Sequence, residues 1–302
     1  MHIKPPARRA VYQWILFTLT LTAVSWFVAR DFRAVSRYCL SLDVPLVVIS
    51  FCAVMTAYLV RFAVWVRLSA TLSLSAPVLR AGRAYYLSVL GRYIPGKVGL
   101  ALVRVEAYRG YPAEKVVLAT VIELIAALAA AFLLACIGFA FSPAYFSPHM
   151  RWVPLFGLIP LLAALSPPLL RRMANTMLRL AGRKELHSLP SYSANIVFVL
   201  LYTLPGFLNG LGLFVLLNAF SRVPAAHYLT VTGVYYTANL IGLVAVFAPG
   251  GLGVREGILF LFLPALVGKE VAIIAAILIR MITMAAEIAL AGVFSAVAAC
   301  RR

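Results

Sequence analysis

Seven stretches of this chain are apolar for long enough to cross a lipid bilayer as helices, approximately Val11–Val28, Val44–Val66, Ala113–Phe141, Trp152–Leu170, Tyr192–Phe220, Tyr228–Ala248 and Val271–Ala299. A hydrocarbon core about 30 Å thick takes roughly 20 helical residues to cross. Inside it every backbone N–H and C=O must be paired within the protein, which a helix does along its own length. Composition leaves no other environment for the chain. Of 302 residues, 64% are hydrophobic and 12% charged, and a soluble domain carries about 25% charged residues. The predicted fold class is all-α, a polytopic integral membrane protein of seven to eight transmembrane helices forming one membrane domain over residues 1–302.

The sparse charge is also one-sided, with 27 Lys+Arg against 9 Asp+Glu. In so apolar a chain this excess belongs at the ends of spans, where anionic lipid and the positive-inside rule place it, and nucleic acid is not an expected partner. Residues 67–115 hold eight basic side chains against Glu106 and Glu114, and residues 171–191 hold five against Glu185. The segments 142–151 and 220–227 hold one Arg each. Both basic segments are therefore expected in the cytoplasm. So is the N-terminus, where Lys4, Arg8 and Arg9 precede the first span. The small-residue site Ala23-Val24-Ser25 falls inside that span, which reads as an uncleaved anchor. The terminal Arg301-Arg302 returns to the cytoplasm only if Leu252–Val267 makes an eighth crossing.

Familiar chemistries find little support. Cys39, Cys52, Cys136 and Cys300 have no metal-ligand spacing, and His2, His149, His187 and His227 are scattered. Asp31 and Asp43 are the only aspartates, so the carboxylate cluster of a Mg²⁺-dependent phosphoryl transferase is missing. Gly91-x-x-x-x-Gly96-Lys97 imitates a nucleotide loop, but Val98 stands where Ser or Thr must reach Mg²⁺. No metal and no cofactor are expected.

Two segments break the apolar pattern in the same way. Pro95-Gly96-x-x-Gly99 superposes on Pro249-Gly250-x-x-Gly253, and each is followed, after a short segment, by a long apolar run. The match points to an internal repeat with halves 44–141 and 192–299, each carrying a broken or re-entrant segment. One reading is that Pro and Gly merely end one helix and begin the next. The other is that unpaired backbone at membrane depth lines a cavity, because broken helices at matching positions mark substrate sites in transporters.

Charges inside the spans narrow the location. Glu123 lies 11 residues after Pro112, and Arg280 lies 11 after Lys269, which puts each about 16 Å into its helix. Buried ions need partners, so Glu123 and Arg280 are expected to pair, as a functional site or as a static bridge between the halves. Glu287, two turns beyond Arg280, offers a second carboxylate. Arg61 reads as snorkelling to the cytoplasmic surface, and Tyr85, Tyr86, Tyr93, Tyr108 and Tyr111 as an interfacial belt. Pro154, Pro160, Pro167 and Pro168 should kink the fourth span, and Gly206-x-x-x-Gly210 should make a close helix contact.

Pro249-Gly250-Gly251-Leu252-Gly253-Val254-Arg255-Glu256-Gly257 resembles the flippase-like transmembrane region of bacterial lysylphosphatidylglycerol synthases, as do Arg280 and Glu123 in the helices that follow the two motifs. The family's Glu after the first-motif glycine is replaced here by Leu100, and its Arg after the helix Glu by Leu124. The resemblance implies a free-standing member without the soluble synthase domain. It would be a lipid translocase of the bacterial cytoplasmic membrane, not an enzyme, moving a modified, anionic or glycosylated lipid between leaflets. Lys97, Arg255 and Arg280 would attract a phosphate, and Glu123, Glu256 and Glu287 would balance them or bind a cationic group. Pro95, Gly96, Gly99, Pro249, Gly250, Gly251 and Gly253 would shape the cavity. Expected partners are membrane lipids and either a second copy of the chain or a lipid-biosynthesis enzyme. The alternatives are a membrane enzyme, or subunit of one, acting on a lipid-linked sugar or phosphate, and a non-transporting assembly subunit.

Overall fold

The computed structural model describes residues 42–91, 99–142, 156–180, 190–245, 251 and 253–300. The first span, Tyr93, Pro95, Gly96, Lys97, Pro249 and Gly250 lie outside the described residues. Within them the chain is helical and contains no strand. The helices are α1 (Val44–Thr71), α2 (Val78–Leu90), α3 (Gly99–Ala107), α4 (Ala113–Ala140), α5 (Leu158–Ala164), α6 (Pro167–Leu180), α7 (Tyr192–Asn218), α8 (Tyr228–Val244), α9 (Val254–Phe262), α10 (Pro264–Val267) and α11 (Lys269–Cys300).

Four of these, α1, α4, α7 and α11, are long and apolar enough to cross a membrane. Their starts follow from local chemistry. The Asp43 carboxylate accepts from the Leu46 N–H at 3.4 Å, with Pro45 in the first turn, where its missing N–H is not needed. Ser191 caps α7 by accepting from the Ala194 N–H at 3.3 Å. Glu114 and Glu270 stand in the first turns of α4 and α11, favourably placed in the helix dipole.

Two sequence expectations change. The run Trp152–Leu170 is not one kinked span: its described part is α5 followed by α6, broken at Leu165-Ser166. Pro167 and Pro168 supply no N–H to continue α5 and disfavour helical geometry in the residue before them. The run Leu252–Val267 holds no single helix of membrane length among the described residues. The nine residues of α9 rise about 14 Å, and Pro264 starts a separate turn, α10. Helix α8 has 17 residues and rises about 25 Å, at the lower end of the range that crosses a bilayer.

The core forms where α1 packs on α7, and α4 on α7 and α8. Small residues set these distances. A Cβ on Gly233 of α8 would stand 2.7 Å from the Gly138 Cα of α4, so the two backbones touch. Gly206 lies against Leu134 of α4, and Gly210 against Thr232 of α8, so the expected glycine pair makes its close contacts with two different helices. One succession occurs twice: a long helix, a shorter one, a Pro-Gly segment, a nine-residue helix and a long helix, from α1 to α4 and from α7 to α11, with α10 inserted in the second. The packing of the two is crossed. The shorter helix α2 packs on α11, and the shorter helix α8 packs on α4.

Candidate functional site

Buried charge collects in two places. The first centres on Glu123 of α4, whose side chain is 4% exposed. Its Oε2 is ion-paired to Nη1 of Arg104 from α3, and its Oε1 accepts from the Tyr85 hydroxyl of α2 at 3.0 Å. Arg104 is fully buried; its Nε donates to Ser88 Oγ at 3.1 Å. Its guanidinium lies over the Trp65 ring at 4.0 Å and the Tyr85 ring at 5.0 Å. An ion this far from water persists because carboxylate, hydroxyl and two π faces replace its hydration. Arg61 of α1 reaches the same carboxylate from the other side, with Nε 3.9 Å from Oε1.

The second site belongs to α9. Gly251 and Gly253 hold φ of +71° and +80°, values that a side-chain-bearing residue rarely adopts. The Gly253 N–H donates at 2.6 Å to Oε2 of Glu256, which folds back to satisfy one of the helix's open N-terminal donors. Oε1 of Glu256 stands 3.7 Å from Nε of Arg280 on α11. The Arg255 side chain runs across two glycines. A Cβ on Gly251 would come within 2.8 Å of the Arg255 Nε, and one on Gly242 of α8 within 2.9 Å of it. The glycines thus leave the track along which this arginine lies.

Between the two sites is a cavity of about 170 Å³. On the scale of roughly 10–15 Å³ needed for one water, it can take a small polar group and its solvent. Arg61 and Tyr58 of α1, Leu124 of α4, Asn209 of α7, Tyr235 and Tyr236 of α8, Arg255 and Glu256 of α9, and Arg280 of α11 are among the residues in its wall. Among the described residues three guanidiniums therefore face one carboxylate. Including Glu123 beside Arg61, Glu287, which accepts from the Tyr58 hydroxyl, and Arg104 still leaves one cation in excess among the described residues.

The expected Glu123–Arg280 pair is not formed: Glu123 takes Arg104 and Arg61, and Arg280 takes Glu256. The two side chains point to different neighbours. Arg255, Glu256 and Arg280 do converge on one cavity, with Gly251 and Gly253 shaping its α9 edge. Gly99 opens α3, the helix that carries Arg104. Arg61 does not snorkel, since it lies about 15 Å from the end of α1 and lines the cavity. Tyr85, Tyr86 and Tyr108 form no interfacial belt and are at most 1% exposed, packed with Phe62, Trp65 and Phe294. Arg104, Gly242 and Asn209 were not singled out from the sequence. The helical spacing of Ala81, Ala84, Tyr85 and Ser88, which share the buried face of α2, was the available signal that this basic segment packs inside.

The family described as lysylphosphatidylglycerol synthase TM region matches residues 13–291, nearly the whole chain. No curated protein matches it significantly.

Proposed function

The chain belongs to the lysylphosphatidylglycerol synthase transmembrane-region family, and from that premise we propose that it is a translocase moving an anionic lipid, modified or glycosylated, between the leaflets of a bacterial cytoplasmic membrane. The observation that carries this reading is the cavity whose wall, among the described residues, sets Arg61, Arg255 and Arg280 against Glu256, inside a bundle of membrane-length helices. A phosphate cannot cross hydrocarbon unaided, because stripping water from an ion without replacing its partners is prohibitive. Guanidiniums replace that water with planar pairs of donors matched to phosphate oxygens. The head group would use the polar wall while its chains stay in lipid, and no bond is made or broken. The two Pro-Gly segments would act as the paired broken elements of a repeated transporter, with the N-terminus and both basic segments in the cytoplasm.

The test is reconstitution in liposomes with fluorescent phosphatidylglycerol or phosphatidylcholine in the inner leaflet, and a membrane-impermeant quencher outside. Faster arrival of the anionic probe at the outer leaflet than in protein-free vesicles is the expected result. Equal exposure with and without protein, for phosphatidylglycerol and for glycosylated or aminoacylated analogues, would refute the translocase reading.

A further inference from the structure

We propose that Arg61 is the side chain that captures the phosphate of an anionic lipid in the cavity, and that it leaves Glu123 to do so. This rests on the reading of the cavity as a head-group site.

The geometry around Glu123 makes Arg61 the dispensable partner. One carboxylate oxygen is taken by Arg104 and the other already accepts from Tyr85. Arg61 meets that second oxygen only at 3.9 Å, beyond hydrogen-bond distance, and its buried Nε has no hydrogen-bond partner among the described residues. The three cavity arginines differ in how firmly they are held. Arg255 lies in the track of Gly242 and Gly251. Arg280 is held toward a carboxylate that also caps α9, and its side chain is 10% exposed. The Arg61 side chain is 32% exposed, rooted midway along α1 and facing the cavity. Losing Glu123 as a neighbour costs it a loose contact, and a phosphate oxygen would restore a partner to the orphaned Nε.

The surroundings suit that ligand. The buried Tyr202 hydroxyl has no hydrogen-bond partner among the described residues, and a neutral O–H donor of this kind can complete a phosphate shell once a guanidinium has taken the charge. Phosphatidylglycerol and phosphatidylcholine both present a phosphodiester, but the choline cation would meet an excess of like charge. An anionic lipid is therefore the favoured occupant.

The experiment measures binding of spin-labelled phosphatidylglycerol and phosphatidylcholine to purified protein in nanodiscs, for wild type, Arg61→Gln and Arg61→Lys, with inorganic phosphate as competitor. Wild type should prefer phosphatidylglycerol. Arg61→Gln should weaken that lipid about 10- to 100-fold, the worth of one or more charge-assisted hydrogen bonds, with phosphatidylcholine nearly unchanged. Arg61→Lys keeps the charge without the fork and should fall between; it also decides the matter if the Gln variant fails to fold. Undiminished preference in both variants, or in the Lys variant when it alone folds, would overturn the role of Arg61 and leave the cavity to Arg255 and Arg280. No preference in wild type would instead overturn the head-group reading beneath it. Full displacement by inorganic phosphate would assign the site to a free anion and overturn the lipid as occupant.

Discussion

Replacing Glu123 by Gln should be among the most damaging single changes in this chain, and the damage should be asymmetric. The substitution keeps the shape of the side chain and removes its charge. Arg104, with no exposed surface, then stands as an uncompensated cation holding only Ser88 and the faces of Trp65 and Tyr85. Breaking a buried pair in this way costs about 3–5 kcal/mol. The reverse change, Arg104→Met, leaves a carboxylate that still has the Tyr85 hydroxyl and can draw in Arg61 from 3.9 Å. A second cation within reach should hold that loss nearer to 2 kcal/mol, part of it from the forfeited cation–π contacts.

A double-mutant cycle measures the difference. Thermal unfolding in detergent should fall on the order of 10 °C for Glu123→Gln, less for Arg104→Met, and for the double variant by clearly less than the two shifts added. The reason is that the second substitution removes the charge that the first one orphaned. A Glu123→Gln variant melting within a degree or two of wild type would refute the argument. So would additive shifts, since they would mean that Arg104 and Glu123 do not share one interaction.

The parts of this molecule legible in the sequence are those governed by one helix at a time. The apolar runs starting at Val44, Ala113 and Tyr192 become α1, α4 and α7 with the same first residues, and Val271–Ala299 becomes α11 to within two residues. Length and composition suffice because the ruler, bilayer thickness against helix rise, is external to the fold. Glycine at 251 and 253 permits the positive φ found there, since that freedom belongs to the residue itself. Pairing across the bundle was not. Counting residues gives Glu123 and Arg280 a common depth, but which way each side chain points depends on helix packing. That packing is set by contacts such as Gly138 on Gly233, which no charge pattern announces. Inward packing within the basic segment 67–115 was not legible either: its eight cations say nothing of Tyr85 and Ser88 of α2 and Arg104 of α3, which turn inward and surround Glu123.

Four further outcomes are expected. Single cysteines at Arg83 and Arg172, in a background lacking Cys39, Cys52, Cys136 and Cys300, should resist an impermeant thiol reagent added to intact cells; labelling of both would reverse the orientation. Gly242→Ala should impair lipid movement, because the new Cβ would stand 2.5 Å from Cγ and 2.9 Å from Nε of Arg255 and force that side chain off its track; normal movement by this variant would show that the Arg255 track is unimportant. Gly251→Ala should lose stability as well, by about 1–3 kcal/mol, since φ of +71° strains any L side chain and the Cβ also meets the Gly242 carbonyl oxygen at 2.9 Å, which is backbone and yields less readily. Glu256 separates structure from transport: Glu256→Gln retains an oxygen to accept from the Gly253 N–H and should melt near wild type, whereas Glu256→Ala also forfeits the cap and should lose about 1 kcal/mol more. Both remove the carboxylate from Arg280, which raises the positive excess in the cavity wall. If that carboxylate serves to let a phosphate leave, both variants should bind phosphatidylglycerol more tightly and move it more slowly, read in the nanodisc and liposome assays together. Faster movement with tighter binding would mean that release is not limiting, and unchanged binding and movement in Glu256→Gln would mean that Glu256 acts only as the cap of α9.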